Sequence, residues 1–524
     1  MNIWLVSMEC AGLVEAGGVK NVTYSLCKAL SQKGNSVSLF IPVFGCSTFD
    51  NVFGYDDVNV ERVFINIGNK QETVEFTTGR LKDTNVKIIF INHPSFAQKK
   101  GVYVYTMEEQ KLNPQCVCGK GHIDTLFLDA LLSKAVCEYG TLISKDQIPD
   151  IIHCQDASTA VVPSYINQKR DIFTKTKCVV TIHNAGPAYH HEYQNLDQAI
   201  YYTSLPRELL CRAFNGNRVE PFLLASIDGY LSTVSDYYAK ELVSENFNNE
   251  TDGLSGIFNR NNINIMGITN GIDYDRYDPE YTKCSLLPYS YSPITGDLEG
   301  KYKNREYLSD LSKNITENLS EDYMSYLENV EQYGTLLNDK NGVYFMFHGR
   351  IVWQKGISIL IPVIKKILSK YQNVYFLVEG QGDPNYENQM KELSRDFPDR
   401  MIYFYGYNRA LSRLIAAVAD FALFPSFFEP CGLEDFIAQI YGTIPLAHAT
   451  GGLNKIINGK TGFTYLQNTE EQLAGEIEKL ISLKMNNDKS LNTIIKNACQ
   501  SVKENYSWDF VSEKYLNFFT NILG

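Results

Sequence analysis

The feature that most constrains the fold is a repeated alternation of short apolar runs with stretches of helical periodicity. In the first half, the runs that predict strands are Asn2–Ser7, Ser36–Ile41, Val86–Ile91, Ile151–Cys154, Cys178–Ile182 and Leu231–Val234. The alternation pauses between residues 279 and 340 and then resumes. The second set of predicted strands is Tyr344–His348, Val374–Val378, Met401–Tyr405, Phe421–Phe424 and Ile444–Ala447. Such alternation is typical of parallel sheets covered by helices.

The interruption of the strand–helix alternation between residues 279 and 340 predicts two α/β domains. A chain of 524 residues is too long for one ordinary core and suits two domains of roughly 250 residues each. We predict an N-terminal Rossmann-like domain over residues 1–275, a C-terminal Rossmann-like domain over 276–504, and a terminal helix over 505–524. Doubly wound sheets bind ligands at the carboxyl ends of their strands, so the two domains are expected to face a central cleft.

Charge and composition narrow the kinds of partner. A formal net charge of -12 argues against nucleic-acid binding, which normally shows a basic patch. No apolar run approaches the roughly 20 residues that span a bilayer, and the N-terminus lacks a signal-peptide pattern. We therefore expect a cytoplasmic protein without a membrane partner. The 12 cysteines show neither a disulfide framework nor zinc-ligand spacing, so no metal is expected. The oligomeric state is not indicated.

Three loops of the first domain follow predicted strands. Glu15–Gly18 leads into a helical pattern, where paired glycines allow a close backbone approach and helix-start N–H groups face anions. Its spacing is not G-x-G-x-x-G, so a dinucleotide site is not indicated. Asp156 suits contact with an acceptor hydroxyl or a helix N-cap. His183, also at a strand end, suits either a catalytic or a structural role.

Two loops of the second domain place charged side chains at strand ends. His348–Gly356 contains Arg350 and Lys355. A planar guanidinium and a compact ammonium can together neutralise a departing diphosphate without a metal, although both can also be ordinary solvated cations. Phe428–Leu433 contains Glu429, whose carboxylate suits sugar hydroxyls or the dipole of the following helix.

In this order, these loops resemble those of the bacterial glycogen synthase and plant starch synthase family. The most specific segments are Trp353–Gly356 and Phe428–Leu433. The likeness also covers the Gly-Gly loop, His153–Asp156, Thr181–Asn184, Thr233–Ser235, Thr269–Asp273, Gly300, Lys301, Asn304, Tyr441–Pro445, Thr450–Leu453, Ser507–Asp509 and Lys514–Leu516. It implies the GT-B fold, with a terminal helix crossing back onto the N-terminal domain. It also implies glucose transfer from ADP-glucose to the non-reducing end of an α-1,4-glucan, with retention and without a metal or other cofactor.

The resemblance implies roles for individual residues. Arg350 and Lys355 would grip the donor diphosphate, and Glu429 would bind the hydroxyls of the sugar. His183 would lie beside the glucose being transferred, and Asp156 would face the glucan acceptor.

Further donor-binding positions follow from the same match. Gly18 would lend its backbone to the phosphates, and Tyr407 would stack near the nucleobase. The other positions implied to bind the donor are Glu15, Gly17, Cys431, Gly432, Leu433, Thr450, Gly451 and Gly452.

The chain departs from the family pattern at several charged positions. The family carries a lysine in its first loop where this chain has Glu15, and an aspartate where it has Asn21. After the Phe-Glu-Pro-Cys-Gly-Leu run, the family's Thr-Gln is replaced by Glu434 and Asp435. These two acids suit the first turn of a helix, or they repel the donor phosphates. Two more differences are His448-Ala449 in place of a basic pair and Ala157-Ser158 in place of Trp-His.

Three hypotheses are consistent with this pattern. The first is an active retaining α-glucan synthase, which Arg350, Lys355, Glu429 and His183 favour. The second is a glucan-binding or regulatory relative that has lost catalysis, which Glu15, Asn21 and Glu434 favour. The third is a retaining transferase with another sugar-nucleotide donor or a small acceptor, which the altered acceptor-side positions favour.

Overall fold

The computed structural model describes residues 1–313, 325–486 and 489–524. The chain divides into two compact units: Met1–Asn270 with Val511–Gly524 forms the first, and Gly271–Phe510 forms the second. Each unit contains a mostly parallel sheet with helices, which confirms the predicted α/β fold class.

The first unit is built on a nine-stranded sheet in the order β11-β10-β7-β6-β1-β2-β5-β4-β3. From β11 to β5 the neighbours are parallel, whereas β3 and β4 form an antiparallel extension at one edge. A separate two-stranded sheet contains β8 and β9. The strands are β1 Asn2–Val6, β2 Ser36–Pro42, β3 Val52–Ile67, β4 Lys70–Leu81, β5 Lys87–Asn92, β6 Ile151–Gln155, β7 Lys177–Ile182, β8 Phe214–Asn215, β9 Arg218–Val219, β10 Tyr230–Thr233 and β11 Ile265–Gly267.

Helices of the first unit connect these strands. The helix Val19–Gln32 buries Val22, Leu26 and Leu30 on one face, and Gly34 follows its end at φ +82°, a conformation that glycine adopts without strain. The remaining α-helices of this unit are Pro94–Ala97, Met107–Leu112, Thr125–Tyr139, Val162–Gln168, Leu196–Thr203, Arg207–Leu210, Pro221–Asp228, Asp236–Glu241 and Leu254–Arg260.

The second unit contains a seven-stranded sheet in the order β12-β15-β14-β13-β16-β17-β18. Only β12 is antiparallel to its neighbour. Side chains alternate between the two faces. Phe345 stacks between Phe376 and Phe421 on one face, while Tyr344 stacks on Tyr375 on the other. The strands are β12 Val330–Tyr333, β13 Val343–His348, β14 Val374–Gly380, β15 Met401–Gly406, β16 Phe421–Phe424, β17 Ile444–His448 and β18 Phe463–Tyr465.

Helices cover both faces of this second sheet. Ile357–Lys370 packs its apolar residues into the same core as Phe345, and Arg409–Val418 packs against the core that contains Tyr344. The other described α-helices of this unit are Tyr274–Tyr277, Thr282–Ser285, Glu299–Lys313, Pro384–Asp396, Glu434–Ile440, Glu470–Met485 and Ser490–Asn505. The last helix, Trp508–Leu523, begins in the second unit and belongs mostly to the first. Across the described parts of the chain, no helix combines the length and apolarity that a membrane crossing requires.

Two polar segments bear on the predictions. The polar stretch after Gly300 forms the helix Glu299–Lys313, whereas residues 314–324 lie outside the described residues. We also interpret residues 484–496 from their composition as a solvated surface helix or loop. Residues 487–488 are outside the described residues, but Leu491 and Ile494 of the following helix are buried in the core. That segment is therefore amphipathic and not wholly solvated.

Candidate active site

Strand order concentrates the charged loops of the second unit at one place. The chain leaves β13 for β14 on one side and later returns to β16 on the other side of β13. In doubly wound sheets, the loops after the carboxyl ends of two such central strands form a ligand-binding crevice. The loop after β13 carries Arg350 and Lys355, and the loop after β16 carries Glu429.

The structure brings these two loops into direct contact. Lys355 Nζ lies 2.6 Å from Glu429 Oε2, which also accepts a hydrogen bond from Ser426 Oγ at 3.1 Å. Arg350 is exposed and its Nη2 donates to Gln354 Oε1 at 3.2 Å. The Gln354 amide in turn donates to a backbone carbonyl of the Glu429 loop at 3.1 Å. The two cations and the carboxylate predicted from the sequence therefore share one patch.

Glycine makes this loop contact possible. Gly356 has φ +74°, and a side chain there would collide with the carbonyl of Pro425 on the facing loop. The Gly452 N–H donates to the Glu429 carbonyl at 2.8 Å, and a side chain at Gly452 would collide with Cys431. The predicted donor-binding positions Thr450, Gly451, Gly432 and Leu433 lie in these same two segments.

The departure at position 435 is neutralised inside the second unit. Asp435 is buried and its Oδ1 lies 2.8 Å from Lys455 Nζ. Lys455 also donates to the carbonyls of Cys431 and Gly432 at 2.6 and 2.7 Å. Burial raises the pKa of Asp435 to about 6, against the opposing effect of the lysine. Lys455 therefore fixes the loop after Glu429. Lys455 was not predicted as a site residue, because a lysine twenty residues further along the chain carries no local signal.

The departure at position 434 is also paired with a cation. Glu434 Oε2 lies 2.9 Å from Nδ1 of His348, the last residue of β13. Burial alone would lower the pKa of His348, but the carboxylates of Glu434 and Glu379 raise it to about 9. The pKa of Glu434 is lowered, since His348 and Lys355 outweigh the opposing effect of burial. At neutral pH this is an imidazolium–carboxylate pair.

Tyr407 lies beside that pair. Its ring is 57% exposed and stacks on the His348 ring, with centroids 6.0 Å apart and planes inclined by 19°. His348 therefore contacts both Tyr407, which is predicted to stack near the nucleobase, and Glu434, one of the substituted acids. Neither His348 nor Glu379 was predicted as a site residue from the sequence.

The glycine loop of the first unit is organised by a buried acid. Glu9 Oε2 accepts hydrogen bonds from the N–H groups of Ala16 and Gly17, at 3.0 and 2.6 Å. Tyr103 donates to the other oxygen at 3.3 Å, and burial raises the pKa of Glu9. The N–H of Gly17 is thus engaged within the protein, whereas the space above Gly18 is open.

Glu15 points back along its own loop. Its Oε1 accepts from the N–H of Gly12 at 2.8 Å, and its Oε2 lies 2.9 Å from Lys20 Nζ. Both side chains of the ion pair are solvent-accessible, Glu15 at 47% and Lys20 at 25%. The anion at position 15 is therefore accompanied by a cation five residues later in the first turn of the helix Val19–Gln32. Lys20 is a second residue that the sequence reasoning missed.

The predicted acceptor-side residues meet at the ends of β6 and β7. Asp156 Oδ1 accepts from the backbone N–H of His183 at 3.1 Å, and no side-chain N-cap bond is formed. Asp156 has φ +65°, which is uncommon for a residue with a side chain and concentrates at functional sites. Burial raises the pKa of its carboxyl to about 7.

His183 is neutral in this setting. Burial lowers the pKa of its ring to about 4. Its Nε2 donates to Gln155 Oε1 at 2.7 Å, because an amide oxygen can only accept. The Nδ1 atom is therefore the nitrogen that carries the lone pair.

A group of possible metal ligands occurs elsewhere in the first unit. Among the described residues, ligand atoms of His190, Glu192 and Glu220 lie within 4.8 Å of one another. His190 Nδ1 is 2.7 Å from Glu220, and its Nε2 is 2.8 Å from the Ala185 carbonyl. Both acceptors require a proton on the ring nitrogen they face, so the imidazole is cationic and ill suited to bind a metal. Its pKa is raised to about 9, because Glu220 outweighs the effect of burial.

Comparisons with known proteins agree with this architecture. Residues 2–258 match the family model for a starch synthase catalytic domain, and residues 331–501 match the model for group 1 glycosyl transferases. The chain is 28% identical to the glycogen synthase of Thermodesulfovibrio yellowstonii, covering 100% of this chain and 98% of that protein. It is 27% identical to the glycogen synthase of Lactococcus lactis, covering 100% of both.

Solved structures show the same fold. The catalytic domain of starch synthase IV from Arabidopsis thaliana, bound to ADP and acarbose, matches with a TM-score of 0.78 at 24% identity over 99% of both chains. Sucrose-phosphate synthase from Thermosynechococcus elongatus matches with a TM-score of 0.54 at 15% identity, over 99% of this chain and 98% of that one. The fold is that of a GT-B glycosyltransferase. More specifically, the chain belongs to the family of bacterial glycogen synthases and plant starch synthases.

Proposed function

We propose that this chain transfers glucose from ADP-glucose to the non-reducing end of an α-1,4-glucan, with retention of the anomeric configuration. The observation that carries the proposal is the contact between Lys355 and Glu429 at the carboxyl ends of β13 and β16. A cation suited to phosphate and an anion suited to sugar hydroxyls are thereby held side by side. A nucleotide sugar presents the same two groups next to each other.

The charges of this patch suit the bond that must break. As the bond between sugar C1 and the phosphate oxygen opens, negative charge develops on the departing diphosphate. Arg350 offers a planar fork of donors and Lys355 a compact ammonium, and both can stabilise that charge in place. The ammonium has three donors, so Lys355 can contact a phosphate and keep its bond to Glu429. Glu429 then orients the sugar through its hydroxyls.

The first unit is proposed to supply the acceptor side. Asp156 would accept from a glucan hydroxyl, and the neutral ring of His183 would lie beside the transferred glucose. Gly18 would offer its backbone to the phosphates, where the surrounding space is open. In this assignment residues 1–275 are the acceptor domain, residues 276–504 are the donor domain, and residues 505–524 are the terminal helix.

A second candidate function is favoured by one observation. Glu15 places an anion in the loop where the family carries a lysine, so the chain is alternatively a glucan-binding relative with weak turnover. The ion pair with Lys20 argues against strong repulsion of phosphate, because the pair has no net charge. The first function is therefore preferred.

Product analysis with a donor panel tests the proposal. Purified protein is incubated with labelled ADP-glucose or UDP-glucose and with glycogen or maltohexaose. We expect label in the polymer, faster from ADP-glucose, and its complete release by an α-specific exo-glucosidase. The variant Glu429→Gln should lose nearly all transfer. Its control is Glu470→Gln, which changes an exposed acid in the first turn of another helix and should keep wild-type activity. Tight glucan binding without label from either donor would instead support the second candidate.

A further inference from the structure

Glu434 is placed to contact a ligand. It is the first residue of the helix Glu434–Ile440, and its side chain is 41% exposed. His348 holds one carboxylate oxygen, Oε2, at 2.9 Å. Among the described residues, no hydrogen-bond donor engages the other oxygen, Oε1. One oxygen is therefore held by His348, and the second remains available as an acceptor.

His348 connects this acceptor to an exposed aromatic ring. The His348 ring stacks on Tyr407, which directly follows β15. An aromatic face beside a fixed carboxylate suits a nucleoside, since the face stacks on the base and the carboxylate accepts from ribose hydroxyls. Carboxylates read ribose hydroxyls in this way at the strand ends of other doubly wound sheets.

The opposite side of His348 is also charged. Its Nε2 lies 3.8 Å from Oε2 of Glu379, a fully buried residue. Asn408 N donates to Glu379 Oε1 at 3.1 Å, whereas Oε2 has no hydrogen-bond partner among the described residues. His348 is thus a single cation shared by two carboxylates, Glu434 and Glu379, which together keep it charged. The positive charges of His348 and Lys355 both act on Glu434 and lower its pKa, so they offset its repulsion of a diphosphate bound by Arg350 and Lys355.

We propose that Glu434 reads the nucleoside of the donor, accepting a hydrogen bond from a ribose hydroxyl through Oε1 while Tyr407 stacks on the base. His348 acts as a positioning residue that fixes the carboxylate and compensates its charge. This inference rests on the proposed function for the identity of the ligand as a nucleotide sugar. It deepens that function by giving a substituted position a role in donor recognition.

Equilibrium binding of nucleotides to the full chain tests the inference without requiring turnover. ADP, 2′-deoxy-ADP and 3′-deoxy-ADP are titrated into the wild type, Glu434→Ala and Glu434→Gln. One deoxy analogue should bind the wild type roughly 10–100-fold more weakly than ADP, as expected for a hydrogen bond to a charged group. Glu434→Ala should bring that ratio close to one, and Glu434→Gln, which keeps a neutral acceptor, should give an intermediate ratio.

Controls separate recognition from a structural role. Glu471→Ala removes another exposed acid from the first turn of a helix in the same unit and should leave the ratio unchanged. His348→Ala should reduce the ratio of the affinities for ADP and the deoxy analogue by a larger factor than it reduces the affinity for ADP itself. If Glu434 were only a structural ion-pair partner, its variants would change the melting temperature and keep the wild-type ratio, which overturns the inference.

The wild type alone also provides a decisive result. Equal affinity for ADP and both deoxy analogues would overturn the inference even if every variant failed to fold. Failure of the proposed function has a different signature, because the chain would then discriminate ribose hydroxyls and yet transfer no glucose. Failure to bind any of the three nucleotides would overturn both.

Discussion

The glycine loop of the first unit and the loop after β16 of the second both carry an acid where the family carries another residue. In the first, Glu15 pairs with Lys20 on the surface. In the second, Asp435 pairs with Lys455 in the interior. Each of the two acids thus forms an ion pair with a lysine. The two loops differ in burial, which decides how much the fold depends on each pair.

That difference has an energetic meaning. An exposed ion pair contributes about 0–1 kcal/mol, because water and salt screen it. Removing one partner of a buried pair leaves an uncompensated charge and costs about 3–5 kcal/mol. Stability should therefore depend strongly on the cation that pairs with Asp435 and only weakly on the pair formed by Glu15 and Lys20.

The largest expected effect is on stability at the buried pair. Lys455→Met should lower the free energy of unfolding by about 3–5 kcal/mol, since Asp435 would remain buried without its cation. Denaturant unfolding of the purified variant measures the change. Adding Asp435→Asn to Lys455→Met should recover most of the loss. A single variant as stable as the wild type would show that the pair is not needed.

The next effect is on catalysis at the contact between the loops after β13 and β16. Lys355→Ala should lower kcat by roughly 10²–10³-fold, the usual loss when one group that stabilises developing charge is removed. Initial rates of glucose transfer measure it. Lys365→Ala removes an exposed lysine from the next helix and should retain full activity. Equal rates for the two variants would contradict the proposed role of Lys355 in binding the donor.

A smaller effect is expected at the exposed loop. Glu15→Lys restores the charge that the family carries and should raise kcat/KM for ADP-glucose by roughly tenfold, or about 1.4 kcal/mol. Glu15→Gln removes the anion without adding a cation and should give a smaller gain. Lower activity in Glu15→Lys than in the wild type would mean that Lys20 already serves the phosphates and is displaced by a second cation.

The smallest effect concerns the surface pair itself. Lys20→Ala should change the free energy of unfolding by at most about 1 kcal/mol, since both partners are accessible to solvent. Unfolding curves at low and high salt measure the pair, whose contribution should shrink as salt screens it. A loss as large as that of Lys455→Met would contradict the proposed dependence on burial.

Local sequence patterns predicted most of the parallel core strands and the charged loops that follow them, but not the side chains that pair with those loops. The strand Phe421–Phe424 was predicted at its observed bounds, and the other ten predicted strands lie within one or two residues of observed ones, because buried parallel strands form short apolar runs between helical patterns. The strands β3, β4, β11, β12 and β18 were not predicted. The motifs around Arg350, Lys355 and Glu429 were readable because each follows a strand. The fold then explains their proximity through the order of β13 and β16.

Two of the residues that were missed, Lys455 and Glu379, act through partners distant in sequence. Lys455 reaches Asp435 across twenty residues, and Glu379 reaches His348 from a neighbouring strand. Neither position shows a pattern of its own, since each matters only through a side chain that the fold brings close. The two roles considered for Glu434 and Asp435 also could not be separated from the sequence. An acid in the first turn of a helix and an acid that repels the donor phosphates look identical there, and only the structure shows which groups each one contacts.

We propose that the chain remains an active glucosyltransferase because the substituted acids are paired with cations. The most direct measurement is the incorporation of labelled glucose from ADP-glucose into glycogen by the unmodified protein. We predict steady incorporation that depends on the glycogen concentration and yields α-1,4-linked glucose. A folded protein that binds ADP and glycogen yet incorporates no label would contradict the claim.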